Sequence, residues 1–143
     1  MSSKVPSILD ALETRLETVA PVYRCLQGRG LPASVLDDLP IIAMRLTSDR
    51  IEGYLGSKTK VELSVTIEIV AVATNEKPDN VLAGLLWSTR KALKADDEIP
   101  LNGLLRSMVG IEWDPAIFDV PESGETVVRV RQPLRLKLTE IYA

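Results

Sequence analysis

At 143 residues, 45% hydrophobic and 26% charged, the chain has the length and composition of one soluble globular domain with room for a sizeable core. A net charge of −3 argues against general coating of nucleic acid, and no apolar run approaches membrane-spanning length. Cys25 is the only cysteine, which excludes an internal disulfide framework and suits a reducing compartment, and the first residues lack a signal-peptide apolar core.

Val5, Ile8, Leu9, Leu12, Leu16 and Val19 form one stripe at 3.6-residue spacing. Pro6 suits a first helical turn and Pro21 stops the pattern, so the spacing predicts a helix near 6–19. Val22 to Leu26 reads as a short strand, stopped by Gly28-Arg29-Gly30. A lone GxG with no helix after it reads as a turn, not a phosphate loop. Ile41 to Thr47 reads as a second strand. Ser48 to Lys60 has two glycines, mixed charges and no period, and is either a long loop or the tip of an extended hairpin.

Alternation is clearest at 61–69, where Val61, Leu63, Val65, Ile67 and Ile69 alternate with Glu62, Ser64, Thr66 and Glu68. Asp79 or Asn80 can cap the helix that follows, in which Leu82, Leu85, Leu86, Thr89 and Leu93 share a face. Lys91 and Lys94 suit its carboxyl end. Trp87 falls on the far side with Arg90, Lys91 and Lys94, as an interface anchor or as a residue that another element covers.

Met108 to Trp113 reads as a strand and the stretch after it as a loop with a turn at Ser123-Gly124. The last strand runs from about Thr126 to Tyr142. In it Val128, Val130, Leu134, Leu136 and Leu138 alternate with Arg129, Arg131, Arg135 and Lys137. Pro133 cannot donate to a ladder, so it implies a bulge or an unpaired edge. The order α-β-β-β-α-β-β predicts one α+β domain over 1–143: a mainly antiparallel sheet of long strands with two helices packed on one face. If the acidic wet face of 61–69 and the basic one of 129–137 are neighbours, cross-strand pairing accounts for those charges without a ligand.

The chain has no histidine, which removes imidazole bases, histidine-dependent nucleophiles and histidine zinc sites. Cys25 reads as a small core residue, and no P-loop, dinucleotide fingerprint or EF-hand spacing occurs. The remaining chemistry is Asp37-Asp38 and the run Asp96-Asp97-Glu98. Consecutive acids in a loop point in different directions and chelate poorly, so they read as connectors. The expectation is a protein with no catalytic, cofactor-binding or metal-binding residue.

The order of elements resembles the phage tail terminator family, the lambda-type minor tail proteins that cap the tail tube. The features that carry this are a helix ending in Ala92-Leu93, then Asp96 or Asp97, then Leu101-Asn102-Gly103-Leu104. The amino-terminal helix, the "LPIIAMRL" strand and the closing "PLRLKLTEIY" fit in the same order, while 48–60 matches no motif of the family. The resemblance implies a virion structural protein, assembled in the host cytoplasm as a ring, sixfold in the family. Its partners are copies of itself, the tail tube protein and head or neck connector proteins, and DNA only passes through the lumen. A head–tail connector or tail-completion protein is the alternative within that class. A cytoplasmic small-ligand-binding α+β domain is the alternative outside it, and a divalent-metal hydrolase is the weakest reading. The expected contact residues are Trp87, Arg90, Lys91 and Lys94 on the second helix, and Arg50, Ile51, Tyr54, Leu55, Lys58 and Lys60 in the 48–60 segment. That segment is expected to be mobile in a free subunit and ordered against a neighbour, unless Tyr54 and Leu55 simply fold back onto their own domain.

Overall fold

A computed structural model of the chain describes residues 4–24, 39–73, 77–93, 108–119 and 127–141. Cys25, Gly28 to Gly30, Asp37-Asp38, Lys94, Asp96 to Glu98 and Leu101 to Leu104 lie outside the described residues.

Helix α1 (Val5–Leu16) has Pro6 in its first turn, where a missing N–H leaves no hydrogen bond unmade. It ends before the apolar stripe does. The Val19 and Ala20 N–H groups bond back to the Leu16 carbonyl at 2.9 and 3.3 Å, so the last stripe residue follows in a closing turn. The first turn has no acidic residue of its own. The Glu140 carboxylate takes that place: it accepts from the Lys4 N–H at 2.7 Å, setting negative charge at the positive end of the helix.

Six strands follow: β1 (Val22–Arg24), β2 (Ile41–Leu55), β3 (Lys58–Val72), β4 (Met108–Trp113), β5 (Ile117–Asp119) and β6 (Val127–Ile141). Their order in the sheet is β1-β2-β3-β6-β4, with β5 also on β6. Every pairing is antiparallel except β1 with β2. The fold is α+β. β5 corrects the loop reading at residues 117–119, while 114–116 are irregular as expected. Its side chains are all exposed, so no burial pattern marks it, and the ladder to 129–131 alone makes it a strand.

Pro133 occupies the unpaired-edge position its chemistry demands. The β3–β6 register runs through it unbroken, with Thr66 opposite Pro133. On the other side of β6, β4 stops at Trp113 opposite Leu134 and β5 starts at Ile117 opposite Arg131. The Pro133 carbonyl accepts from the Asp114 N–H at 3.1 Å and so points into this gap. A residue's N–H and C=O point to the same side of a strand, so the missing donor falls where no strand needs it.

Helix α2 (Pro78–Ala92) starts at Pro78, with Lys77 as its extended cap residue and no side-chain cap. Neither Asp79 nor Asn80 caps it. Asp79 lies inside the first turn, where its charge still suits the dipole. Leu82, Leu86, Thr89 and Leu93 are buried as their spacing predicts. Both helices pack on one face of the sheet, against Ile42 and Met44 of β2, the alternate residues Val61 to Ile69 of β3, and Val128 to Leu138 of β6. Each fully buried Leu or Ile there contributes about 1.5–3 kcal/mol. An exposed ion pair contributes about 0–1 kcal/mol. This core therefore holds the fold, and exposed ion pairs add little to it.

Candidate functional site

Residues 48–60 form a hairpin tip and not a loop. β2 and β3 stay paired to Leu55 opposite Lys58, and Gly56-Ser57 is the two-residue turn between them. Gly56 has φ +61° while Ser57 does not have a positive φ, which is the pattern of a type II′ turn with Gly at its first central position. Gly53 keeps an ordinary φ and spends no conformational freedom.

Two register shifts break the ladder, one between Leu46 and Ser48 and one between Ile51 and Gly53. Each extra residue, Thr47 or Glu52, moves the following side chains to the opposite face. Judged by their partners on β3, Leu46, Asp49, Ile51 and Tyr54 share the helix-bearing face, while Ser48, Arg50 and Leu55 share the outer one. The first bulge is stabilised by the Thr47 hydroxyl, which donates to the Ser64 carbonyl at 3.0 Å.

This arm of β2 reaches past the cover of the helices. Ile51 is 51% and Tyr54 73% exposed, and Leu46 and Leu55 are exposed as well, so Tyr54 and Leu55 do not fold back onto the domain. The arm is also an open edge. β1 pairs only with 42–44, and among the described residues no strand pairs with the outer side of 45–55. At the opposite side of the sheet β4 and β5 pair only with β6 among the described residues, and Trp113, Ile117 and Phe118 are exposed there. Sequence reasoning missed these three because two of them sit in a strand without periodicity.

The outer face of the sheet near the tip is a closed charge network. Glu62 stands opposite Arg50 on one side and Lys137 on the other. Arg50 approaches Glu62 and Glu52 at 3.3 Å each, and Lys137 approaches Glu62 at 3.9 Å and Glu112 at 3.4 Å. Arg135 reaches Glu112 at 3.1 Å and Asp114 at 3.2 Å. Asp114 and then Glu112 raise the Arg135 pKa further above its ordinary value, so this guanidinium is charged at every working pH. The Glu52 carboxyl is held below its ordinary pKa of 4.5. Its side-chain hydrogen bond with Glu62 is the main cause; Lys137 and Arg50 add to it, and partial desolvation opposes it. The acidic and basic faces of 61–69 and 129–137 are thus neighbours, as their charges suggested. Arg50 is committed to this network, whereas Lys58 and Lys60 stay exposed with no ion pair among the described residues.

On α2 the predicted basic group divides. Trp87 is 63% exposed, with the Lys91 ammonium 5.0 Å from its ring centroid, a cation–π pair facing solvent. Arg90 turns inward: its Nε and Nη2 donate to the Gln132 amide oxygen at 3.1 and 2.5 Å. The Gln132 amide nitrogen donates in turn to the carbonyls of Asp114 and Pro133 at 2.6 and 2.7 Å. Arg90 is therefore a tie between α2 and β6, while the residue as a whole stays exposed. Gln132 itself was missed, although its position between Val130 and Leu134 calls for an apolar side chain and so marks the exception.

The structure does not bring the two sets of predicted contact residues together. Arg90 reaches Gln132, which pairs with Ile67, and the tip at Lys58 lies nine residues further along β3. At ~3.3 Å per residue the two surfaces are about 30 Å apart. Compared with known proteins, the chain matches no family model and no curated protein.

Proposed function

We propose that the chain is a ring-forming structural subunit, a phage tail terminator that stops tail tube growth and offers a surface to the head or neck. The observation that carries this reading is the pair of edges left open among the described residues of one sheet: the 45–55 arm of β2 at one side and β4 with β5 at the other, each bearing exposed apolar residues. A long open strand edge is a liability for a monomer, because its unpaired N–H and C=O groups template association. Edges that differ from each other pair head to tail, and a head-to-tail contact that closes gives a ring. Mechanism here is geometric: a bound ring occupies the sites that the next tube ring needs.

Mass measurement by light scattering, alone and with purified tail tube protein, tests the reading. A closed oligomer near six copies is expected, dissociated by Ile51→Lys or by Phe118→Lys while each variant keeps its fold. A strict monomer at tens of micromolar that also leaves tube polymerisation unchanged would sink it.

A further inference from the structure

On the outer face, away from the tip, the described residues form a cleft of about 270 Å³ lined by Arg45, Glu68, Ile117, Asp119, Arg129 and Arg131. Register explains why they meet. Arg131 lies between Glu68 of β3 and Ile117 of β5, Asp119 stands opposite Arg129, and Arg45 is diagonal to Glu68 across the β2–β3 ladder. Three guanidinium groups thus face two carboxylates.

Their pairing is incomplete. Glu68 stands opposite Arg131 but makes its ion pair diagonally, with Arg129 at 3.4 Å. Among the described residues Arg45 and Arg131 make no ion pair, and the Arg45 Nε is buried with no hydrogen-bond partner. A buried donor without an acceptor is costly, and a guanidinium presents a planar fork matched to a two-oxygen acceptor. Near the tip, by contrast, Arg50, Arg135 and Lys137 of the same face each have a carboxylate within 4.0 Å; the Arg135 Nε also lacks a hydrogen-bond partner, but its guanidinium is held by Glu112 and Asp114.

We propose that this cleft is an oxyanion site, which takes one phosphate or carboxylate group on Arg45 and Arg131 with Arg129 beside them. The anion supplies the acceptor that the Arg45 Nε lacks and cancels the excess positive charge of the cleft. Glu68 is buried and spent on Arg129, and the exposed Asp119 stands opposite Arg129, so the favourable place for an anion is beside Arg45 and Arg131. The inference stands on the monomer's own geometry and does not depend on ring formation.

Titration of the perdeuterated full chain with inorganic phosphate, and separately with acetate, at constant ionic strength and followed by amide NMR shifts, tests it. Saturable shifts on the order of millimolar are expected at 43–46, 66–69, 117–119 and 129–132. Arg131→Gln and Arg45→Gln should each weaken binding about tenfold, the effect of losing one charge-assisted hydrogen bond. Arg131→Lys, which keeps the charge and loses the fork, should weaken it less, and Lys58→Gln at the tip should leave it unchanged. Saturation by phosphate alone assigns the site to phosphate groups, and saturation by acetate as well assigns it to carboxylates. Shifts that never saturate, or that persist equally in both glutamine variants, mean an adventitious ion and overturn the proposal.

Discussion

One strand of this protein lives in two environments. From Ile41 to Met44, β2 is buried on both faces, between the helices and a small outer cluster in which Tyr23 and Leu39 pack against Ile41 and Val70. From Leu46 to Leu55 the same strand is exposed or half-buried throughout, held by its ladder to β3 and by two bulges. The difference separates two reasons for being a strand. The first half is extended because burial demands it, and the second because its backbone has a partner. Among the described residues, the second half alone keeps an unpaired edge and exposed apolar side chains.

The sharpest way to break that comparison is to truncate one residue in each setting. Leu134→Ala, at a fully buried position of the shared core, should cost about 2–5 kcal/mol in chemical denaturation. Ile51→Ala should cost no more than about 0.5 kcal/mol in the monomer, as for other exposed positions. A loss at Ile51 comparable with that at Leu134 would show that the arm is packed in solution and not merely paired.

A smaller effect is expected where the core itself is polar. Gln132 is 0% exposed and connects Arg90 to two backbone carbonyls. Gln132→Leu suits the apolar stripe but strands the Asp114 carbonyl and deprives Arg90 of its acceptor. Denaturation should reveal a loss of about 1–3 kcal/mol. A neutral or stabilising substitution would mean that the tie between α2 and β6 contributes only orientation.

The smallest effect belongs to the charge network. The Glu52 pKa is depressed in the folded state, so its stabilisation is complete above the unfolded value and fades as pH falls through the folded one. Stability followed from pH 7 downward should therefore decline less steeply below about pH 4.5 in Glu52→Gln than in the parent. Identical slopes would place the acid sensitivity elsewhere in the protein.

How much of this was legible beforehand varies with the physics of each element. Where burial sets the pattern, the sequence sufficed: the stripe of α1, the face of α2 and the alternation of β3 and β6 are all direct images of a core, and Pro133 announced the interrupted ladder beside it. Residues 48–55 defeated the same reasoning because two bulges reverse the side-chain parity twice within a few residues, which erases a period of two even though the ladder is intact. β5 was invisible since nothing in it is buried.

Among the expected contact residues, the sequence left Trp87 either exposed or covered and Tyr54 and Leu55 either free or folded back, and the tertiary structure decides for exposure in each case. The fates of Arg90 and Arg50 were not readable. Their partners, Gln132 and Glu62, are 42 and 12 positions away in the chain. An arginine looks the same in a sequence whether its charge is free or spent. Hydrophobic period and backbone chemistry are local and so are written along the chain; charge pairing, open edges and the arginine cleft depend on which strands become neighbours, and only the tertiary fold decides that.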